Sequence, residues 1–209
     1  DFDGDMDIGA VYDANRTTLT NLVMKSNGVP IDKGMFTDGK CQSDLASMRD
    51  IILSGDEQIY VFTGGVSRGC KDFIKPLIES LGEVHFGEMQ MKPGKPTTFA
   101  TIKNDDGKMK YIFGLPGNPV SCFVTFQLLV HPLIQILRGV KVQSAHHPEV
   151  KITLMHDVIP DAARPEYIRA VCYYNSKKNQ LEAYSTGFQR SSRLHSCCYA
   201  NCLVLIPFN

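Results

Sequence analysis

Neither sign of charge is in excess: 22 Lys and Arg face 22 Asp and Glu, and the formal net charge is zero. Without a basic surplus there is no broad field for a nucleic-acid backbone or an anionic membrane surface, so neither is an expected partner. Uninterrupted apolar runs of the roughly 18–20 residues needed to cross a bilayer are also missing. The longest candidate, Val120 to Leu137, is broken by Ser121, Gln127, His131, Pro132 and Gln135, and reads as a buried helix kinked near Pro132. No secretory signal opens the chain. The seven cysteines form an odd set without a CxxC pair, which argues against a disulfide framework or a zinc ribbon. His195, Cys198 and Cys202 match zinc-ligand spacing poorly, so reduced thiols in a cytoplasmic, reducing compartment are expected. The acidic start, Asp1 to Asp7, lacks the glycine and glutamate of a calcium loop, since its sixth and twelfth positions are Met6 and Tyr12. Repeats and low-complexity stretches are absent. The chain begins with Asp, and a piece of a longer protein is expected.

Rigid loops are present instead. Gly114-Leu-Pro-Gly-Asn-Pro-Val-Ser121 runs straight into the apolar stretch Cys122 to Leu137. Gly admits positive φ and Pro fixes φ near −65°, so this path is tightly constrained. Asn118 as N-cap with Pro119 at the first helical position predicts a helix start, whose N–H groups form a natural place for an anion. Thr63-Gly-Gly-Val-Ser-Arg-Gly69 follows the β-rich run Gln58 to Phe62 and precedes helix-like Phe73 to Leu81. Met91-Lys-Pro-Gly-Lys-Pro-Thr-Thr98 pins Lys92 and Lys95 between alternating Pro and Gly. Together these loops suggest a site for a phosphate-rich or oxyanionic ligand, without identifying it.

Hydrophobic periodicity predicts strands at Ile8–Tyr12, Val29–Phe36, 58–62, Glu83–Met89, Thr97–Ile102 and Lys110–Phe113. Helices are expected at Arg16–Ser26, Ser43–Leu53, 71–81 and 119–138, with a hairpin turn at Asn104 to Gly107. The alternation signals an α/β domain, with a mixed, mostly parallel sheet and helices on both faces, over residues 1–142. Ligands in such sheets gather at the carboxyl ends of the strands. Beyond Gly139 to Pro148 only strands are expected, at Val150–Leu154, Tyr167–Tyr174, Gln180–Tyr184 and Leu203–Ile206. Residues 147–209 therefore read as a partial, small β domain.

The ordered set Tyr12-Asp-Ala-Asn-Arg16, Thr63-Gly-Gly-Val-Ser67, Lys92-Pro-Gly-Lys-Pro96, the Gly114 to Ser121 loop and Arg164-Pro-Glu-Tyr167 spans nearly the whole chain. With Ser185-Thr-Gly187 and Ser191-Ser-Arg-Leu194, it resembles the MoeA family, which includes the gephyrin E domain, and is nearest to its eukaryotic-type members. The resemblance implies a molybdopterin-binding-like domain and a molybdopterin molybdenumtransferase. Such an enzyme inserts molybdate into adenylylated molybdopterin and releases AMP, with Mg2+ assisting. It further implies that Ser67, Lys95, Pro96, Ser121, Arg164 and Ser191 or Ser192 surround molybdate. Gly64, Gly65, Gly114 and Gly117, with Pro116 and Asn118, would approach pyrophosphate and pterin. Asp13, Asn15 and Arg16 match a substrate-binding segment, with Ala14 in place of the usual Ser or Thr. Asp72 and Asp38 match the acids that hold the cation, and with Lys92 complete the implied catalytic set. A homodimer is implied for the full-length protein.

The retained Lys95, Ser67, Asp72 and Arg164 favour the enzyme, whereas two departures leave room for an alternative. Cys70 stands where the family usually places an acid, and Asp38-Gly39 replaces its usual Asp-Asn or Asp-Asp pair. The alternative is a catalytically silent, gephyrin-like scaffold that binds a protein partner.

Overall fold

The computed structural model describes residues 12–36, 42–65, 74–104 and 106–208. The expected strand at Ile8–Tyr12, together with Ser67, Cys70, Asp72, Asp38 and Gly39, falls outside or largely outside them. Helix α1 (Ala14–Lys25) starts two residues before the expected position, because Asp13 caps it and accepts from the N–H groups of Asn15 and Arg16. The expected strand at Val29–Phe36 is not formed; these residues have no regular structure, and Val29 is 86% exposed. Pro30 removes one ladder donor, and the Asp32 carboxylate takes the Gly34 N–H at 2.8 Å, turning the chain before a strand can extend.

Helix α2 (Gln42–Ser54), strand β1 (Ile59–Thr63), helix α3 (Ile74–Leu81) and strands β2 (Glu83–Phe86), β3 (Thr98–Lys103) and β4 (Met109–Leu115) follow. They build a mixed sheet of order β1-β4-β3-β2. Its parallel pairing is β1 with β4, while β3 pairs antiparallel with both β4 and β2. Helices cover both faces, as expected. Ile112 points with Ala100 and Ile102 toward Met48 and Ile52 of α2 and Leu77 and Ile78 of α3. Phe113 and Leu115, on the other side of the pleat, meet Leu19 and Leu22 of α1.

The same cluster takes in Cys122, Phe126, Val130 and Ile134 of the long apolar helix. That helix runs as α4 (Pro119–Thr125), a π-helical segment (Phe126–Val130) and α5 (His131–Leu137). Its irregularity lies N-terminal to Pro132, where the expected kink was placed. The proline ring crowds the carbonyl four residues earlier and removes one N–H, and the helix widens there, the N–H of His131 reaching Phe126. Pro119–Leu137 is long and apolar enough to cross a membrane, despite its polar interruptions, but half of its apolar window is buried in the fold. It serves as the core helix.

After the short helix α6 (Val142–Ala145), strands β5 (Thr153–Leu154), β6 (Glu166–Asn175), β7 (Gln180–Ser185) and β8 (Cys202–Ile206) form a second sheet, ordered β5-β7-β6-β8. Helix α7 (His195–Cys198) lies in a stretch where only strands were expected; one turn is too short to show periodicity. The two sheets are joined by a third apolar cluster, in which Met91, Val120 and Val124 pack with Tyr167, Cys197 and Leu203. Across the same junction the Lys92 N–H donates to Pro165 O at 2.9 Å, and the Tyr167 N–H to Lys92 O at 2.7 Å.

Candidate oxyanion site

Because β1 and β4 are parallel neighbours, their carboxyl ends carry Thr63–Gly65 and Leu115–Asn118 to the same place. The Gly64 N–H donates to Leu115 O at 3.1 Å, and a Cβ on Gly117 would lie 3.4 Å from the Gly64 Cα. Gly64 and Gly65 have φ of 80° and 62°, the left-handed region that side chains disfavour. The two turns therefore touch through backbone alone. Asn15, only 8% exposed, staples them: its amide donates to Thr63 Oγ1 and to Gly117 O, both at 2.8 Å.

Asn118 occupies the N-cap position of α4 with extended backbone, but its side chain makes no capping bond, contrary to expectation. One N–H at this helix start, that of Val120, instead donates to Ser191 O at 3.0 Å, which draws the 186–194 loop of the second sheet onto α4. That loop is anchored by Arg169, which is fully buried. Its guanidinium donates to Ser196 Oγ at 3.1 Å and to the carbonyls of Tyr167 and Arg190 at 3.4 Å. Gln189 bonds both backbone groups of Arg169, and the Thr186 hydroxyl donates to Ser196 O at 2.7 Å.

The cations sit beside this junction. Gly94 packs so closely on α4 that a Cβ there would stand 2.5 Å from Thr125 Cγ2, which seats the Lys92–Pro96 loop on the helix. Lys92 Nζ lies 3.1 Å from Glu166 Oε2 and 3.5 Å from Asp161 Oδ2. Arg164 Nη2 is 3.6 Å from the same Asp161 oxygen, and Lys95 Nζ is 3.8 Å from Glu88. The Ala163 N–H, and after it the charges of Arg164 and Lys92, hold the Asp161 carboxyl below its usual range.

The candidate residues thus separate. Asn15, Gly64, Gly117, Ser191 and the buried Ser121 cluster around the start of α4, and Lys92 and Arg164 meet across the two sheets through Asp161. Pro96 is half-buried in the lysine loop, Pro116 and Gly114 are buried, and Gly114 lies within β4 opposite Phe62 and Thr98. Ser192 is exposed next to Ser191. Arg16 pairs with Asp32 at 2.6 Å, and the Asp13 carboxylate is engaged in capping α1. Sequence reasoning passed over Asp161, Glu166 and Arg169. Asp161 stands three residues before Arg164, and the other two lie inside or beside the Arg164 to Tyr167 motif, so their positions were visible but their pairing was not.

The described donors are ammonium, guanidinium, amide and hydroxyl groups, a set suited to an oxyanion and not to a cation. Among the described residues, no group of three or more His, Cys, Asp or Glu side chains could hold a metal ion. Asp38 and Asp72, the cation ligands that the resemblance implies, lie outside those residues. A cavity of about 370 Å3 lies at the amino ends of β1 and β4, lined by Glu57, Gln58, Met109 and Tyr111, and is remote from this chemistry.

Residues 5–136 match the family described as probable molybdopterin binding domain, and residues 151–209 match the MoeA C-terminal region (domain IV). The chain is 35% identical to gephyrin of Dictyostelium discoideum, over 97% of its own length and 31% of that protein. It is 34% identical to molybdopterin molybdenumtransferase of Haemophilus influenzae, over 95% of its length and 46% of the relative. The crystal structure of the molybdopterin biosynthesis MoeA protein from Pyrococcus horikosii superposes with a TM-score of 0.72 at 28% identity, covering 99% of this chain and 46% of that one. The chain therefore spans less than half the length of these relatives.

Proposed function

The chain belongs to the MoeA family, whose domains serve molybdenum cofactor biosynthesis, and from that premise we propose that its protein inserts molybdate into adenylylated molybdopterin with release of AMP. The observation that carries this reading is the junction at α4. Glycine turns from the first sheet and the Ser191 loop from the second meet at one helix start, while Lys92, on the loop seated against the same helix, meets Arg164 through Asp161. A tetrahedral dianion is held by cationic and hydroxyl donors, and Lys95, Arg164, Ser121 and Ser191 or Ser192 supply them, with Ser67 completing the set. The backbone at Gly64, Gly65 and Gly117 offers close approach to pyrophosphate and pterin. Asp38 and Asp72 would hold Mg2+, which neutralises charge on the departing phosphate. We propose domain bounds of 1–142 and 147–209, a homodimer for the full-length protein and a cytoplasmic location.

Calorimetry with molybdate and, separately, with adenylylated molybdopterin tests the reading. Lys95→Ala is expected to weaken molybdate binding about tenfold, as loss of one charge-assisted contact does. Binding of the adenylylated pterin should change far less. Equal loss for both ligands makes Lys95 a general phosphate contact and removes the molybdate assignment.

A further inference from the structure

The cations of this cluster are not bare. Lys92, Lys95 and Arg164 are matched by Glu166, Glu88 and Asp161, so the pairs sum to zero charge before any ligand arrives. The three acids are not equivalent. Glu166 is buried and close to Lys92, at 3.1 Å, while Glu88 lies 3.8 Å from Lys95. Asp161 is, among the described residues, the carboxylate that touches cations from both loops, with one oxygen shared between Lys92 Nζ at 3.5 Å and Arg164 Nη2 at 3.6 Å. Both separations exceed the roughly 2.7–2.9 Å of a tight charge-assisted hydrogen bond. Its other oxygen accepts the N–H groups of Ala163 and Arg164 at 3.0 and 3.2 Å, so the carboxylate is tethered and cannot swing away.

We propose that Asp161 is the resident counter-ion of the oxyanion site: its free oxygen stands where a ligand oxygen would bridge Lys92 and Arg164, and it competes with that ligand. This rests on the oxyanion reading above. A dianion that enters must take over both cations while Asp161 stays nearby. Asp161 thereby lowers affinity for oxyanions and keeps the two cations facing each other in the empty site. Repulsion by one fixed charge scales with ligand charge. Removing it therefore helps a tetrahedral dianion by the square of the factor by which it helps a tetrahedral monoanion.

Asp161→Asn is the test, because the amide oxygen still accepts from Ala163 and Arg164 while the charge is gone. Molybdate and perrhenate, similar in shape but differing in charge, are titrated calorimetrically into the full chain and the variant at fixed ionic strength. The expected result is a molybdate Kd about tenfold lower and a perrhenate Kd about threefold lower, for a charge a few ångströms from the ligand. Asp106→Asn removes the same charge from the exposed hairpin at the opposite end of β3 and β4 from the lysine loop, where solvent and salt screen it, and is expected to change neither. Weaker molybdate binding in Asp161→Asn, unchanged binding, or equal factors for the two anions overturns the proposal and leaves the oxyanion site standing. A native chain that binds neither anion removes the oxyanion reading itself, and this proposal with it.

Discussion

Lys110 carries a charge into the core, where it is only 3% exposed, and it remains there because every proton has a partner. Its ammonium donates to Ile52 O, Leu53 O and Gly55 O at 2.6, 2.9 and 2.6 Å, the carbonyls left open at the end of α2. The helix C-terminus is the negative end of the dipole, so charge and hydrogen bonding act together. The stem also crosses the face of Tyr60, with Nζ 5.6 Å from the ring centre. Strand alternation placed Lys110 on the side of Ile112, but nothing in a single sequence shows that an inward lysine meets a helix end. Lys110→Met keeps the apolar stem and leaves three carbonyls without their donor. We expect it to cost about 2–3 kcal/mol in urea denaturation, whereas exposed Lys108→Met should shift stability by less than about 0.5 kcal/mol. Equal midpoints for Lys110→Met and the native chain would show that water replaces the ammonium.

At the scale of elements, the start of α4 was legible because Asn118 and Pro119 constrain the backbone locally, and local rules do not depend on the rest of the chain. The π-helical segment was not, since it reflects Pro132 acting on residues a turn earlier within a packed helix. Val29–Phe36 looked like a strand by composition, but a strand requires hydrogen-bonding partners that no pattern of its own residues guarantees. The seat of the lysine loop was hidden for a similar reason: Gly94 meets Thr125, 31 positions away in sequence, only once the helix is in place. Gly94 has φ of 110° and no room for a methyl group. Gly94→Ala is expected to cost about 1–3 kcal/mol of backbone strain and contact, and to displace Lys95 enough to raise the molybdate Kd at least fivefold. Adding Thr125→Ser removes the opposing methyl group, so it should recover part of the affinity but not the strain. If Gly94→Ala binds molybdate normally, the position of Lys95 is set by some other contact.

Across the whole molecule, two domain-sized sheets and their order along the chain were readable from hydrophobic pattern, whereas the link between them was not. The segment after α5 is tied back to the core by stacked imidazoles, with His131 and His147 ring centres 4.3 Å apart. His131 Nδ1 lies 2.9 Å from Ser26 Oγ of the α1 cap, and His147 Nε2 lies 2.8 Å from Gln127 Oε1. Burial, followed by the neighbouring His147 and His146, depresses the pKa of His131; burial and then His146 depress that of His147. The native state thus favours neutral rings, while an unfolded histidine titrates near about 6.5. Between the folded and unfolded pKa values the unfolded chain binds more protons, so stability is complete above about pH 7 and is lost as pH falls through and below 6.5. Glu182 cannot blur this window. Hydrogen bonds from Asn175, Gln180, Lys178 and Tyr173 hold its pKa at about 2, so its contribution is lost only as pH falls below its ordinary 4.5 toward that value. The melting temperature is therefore expected to drop on acidification from pH 7.5 to 5, and His147→Gln should lessen that drop by removing one of the two depressed rings and part of the cause that depresses the other. A melting profile flat over this range, or equally steep in His147→Gln, would mean that the stacked pair does not couple the inter-sheet segment to the fold.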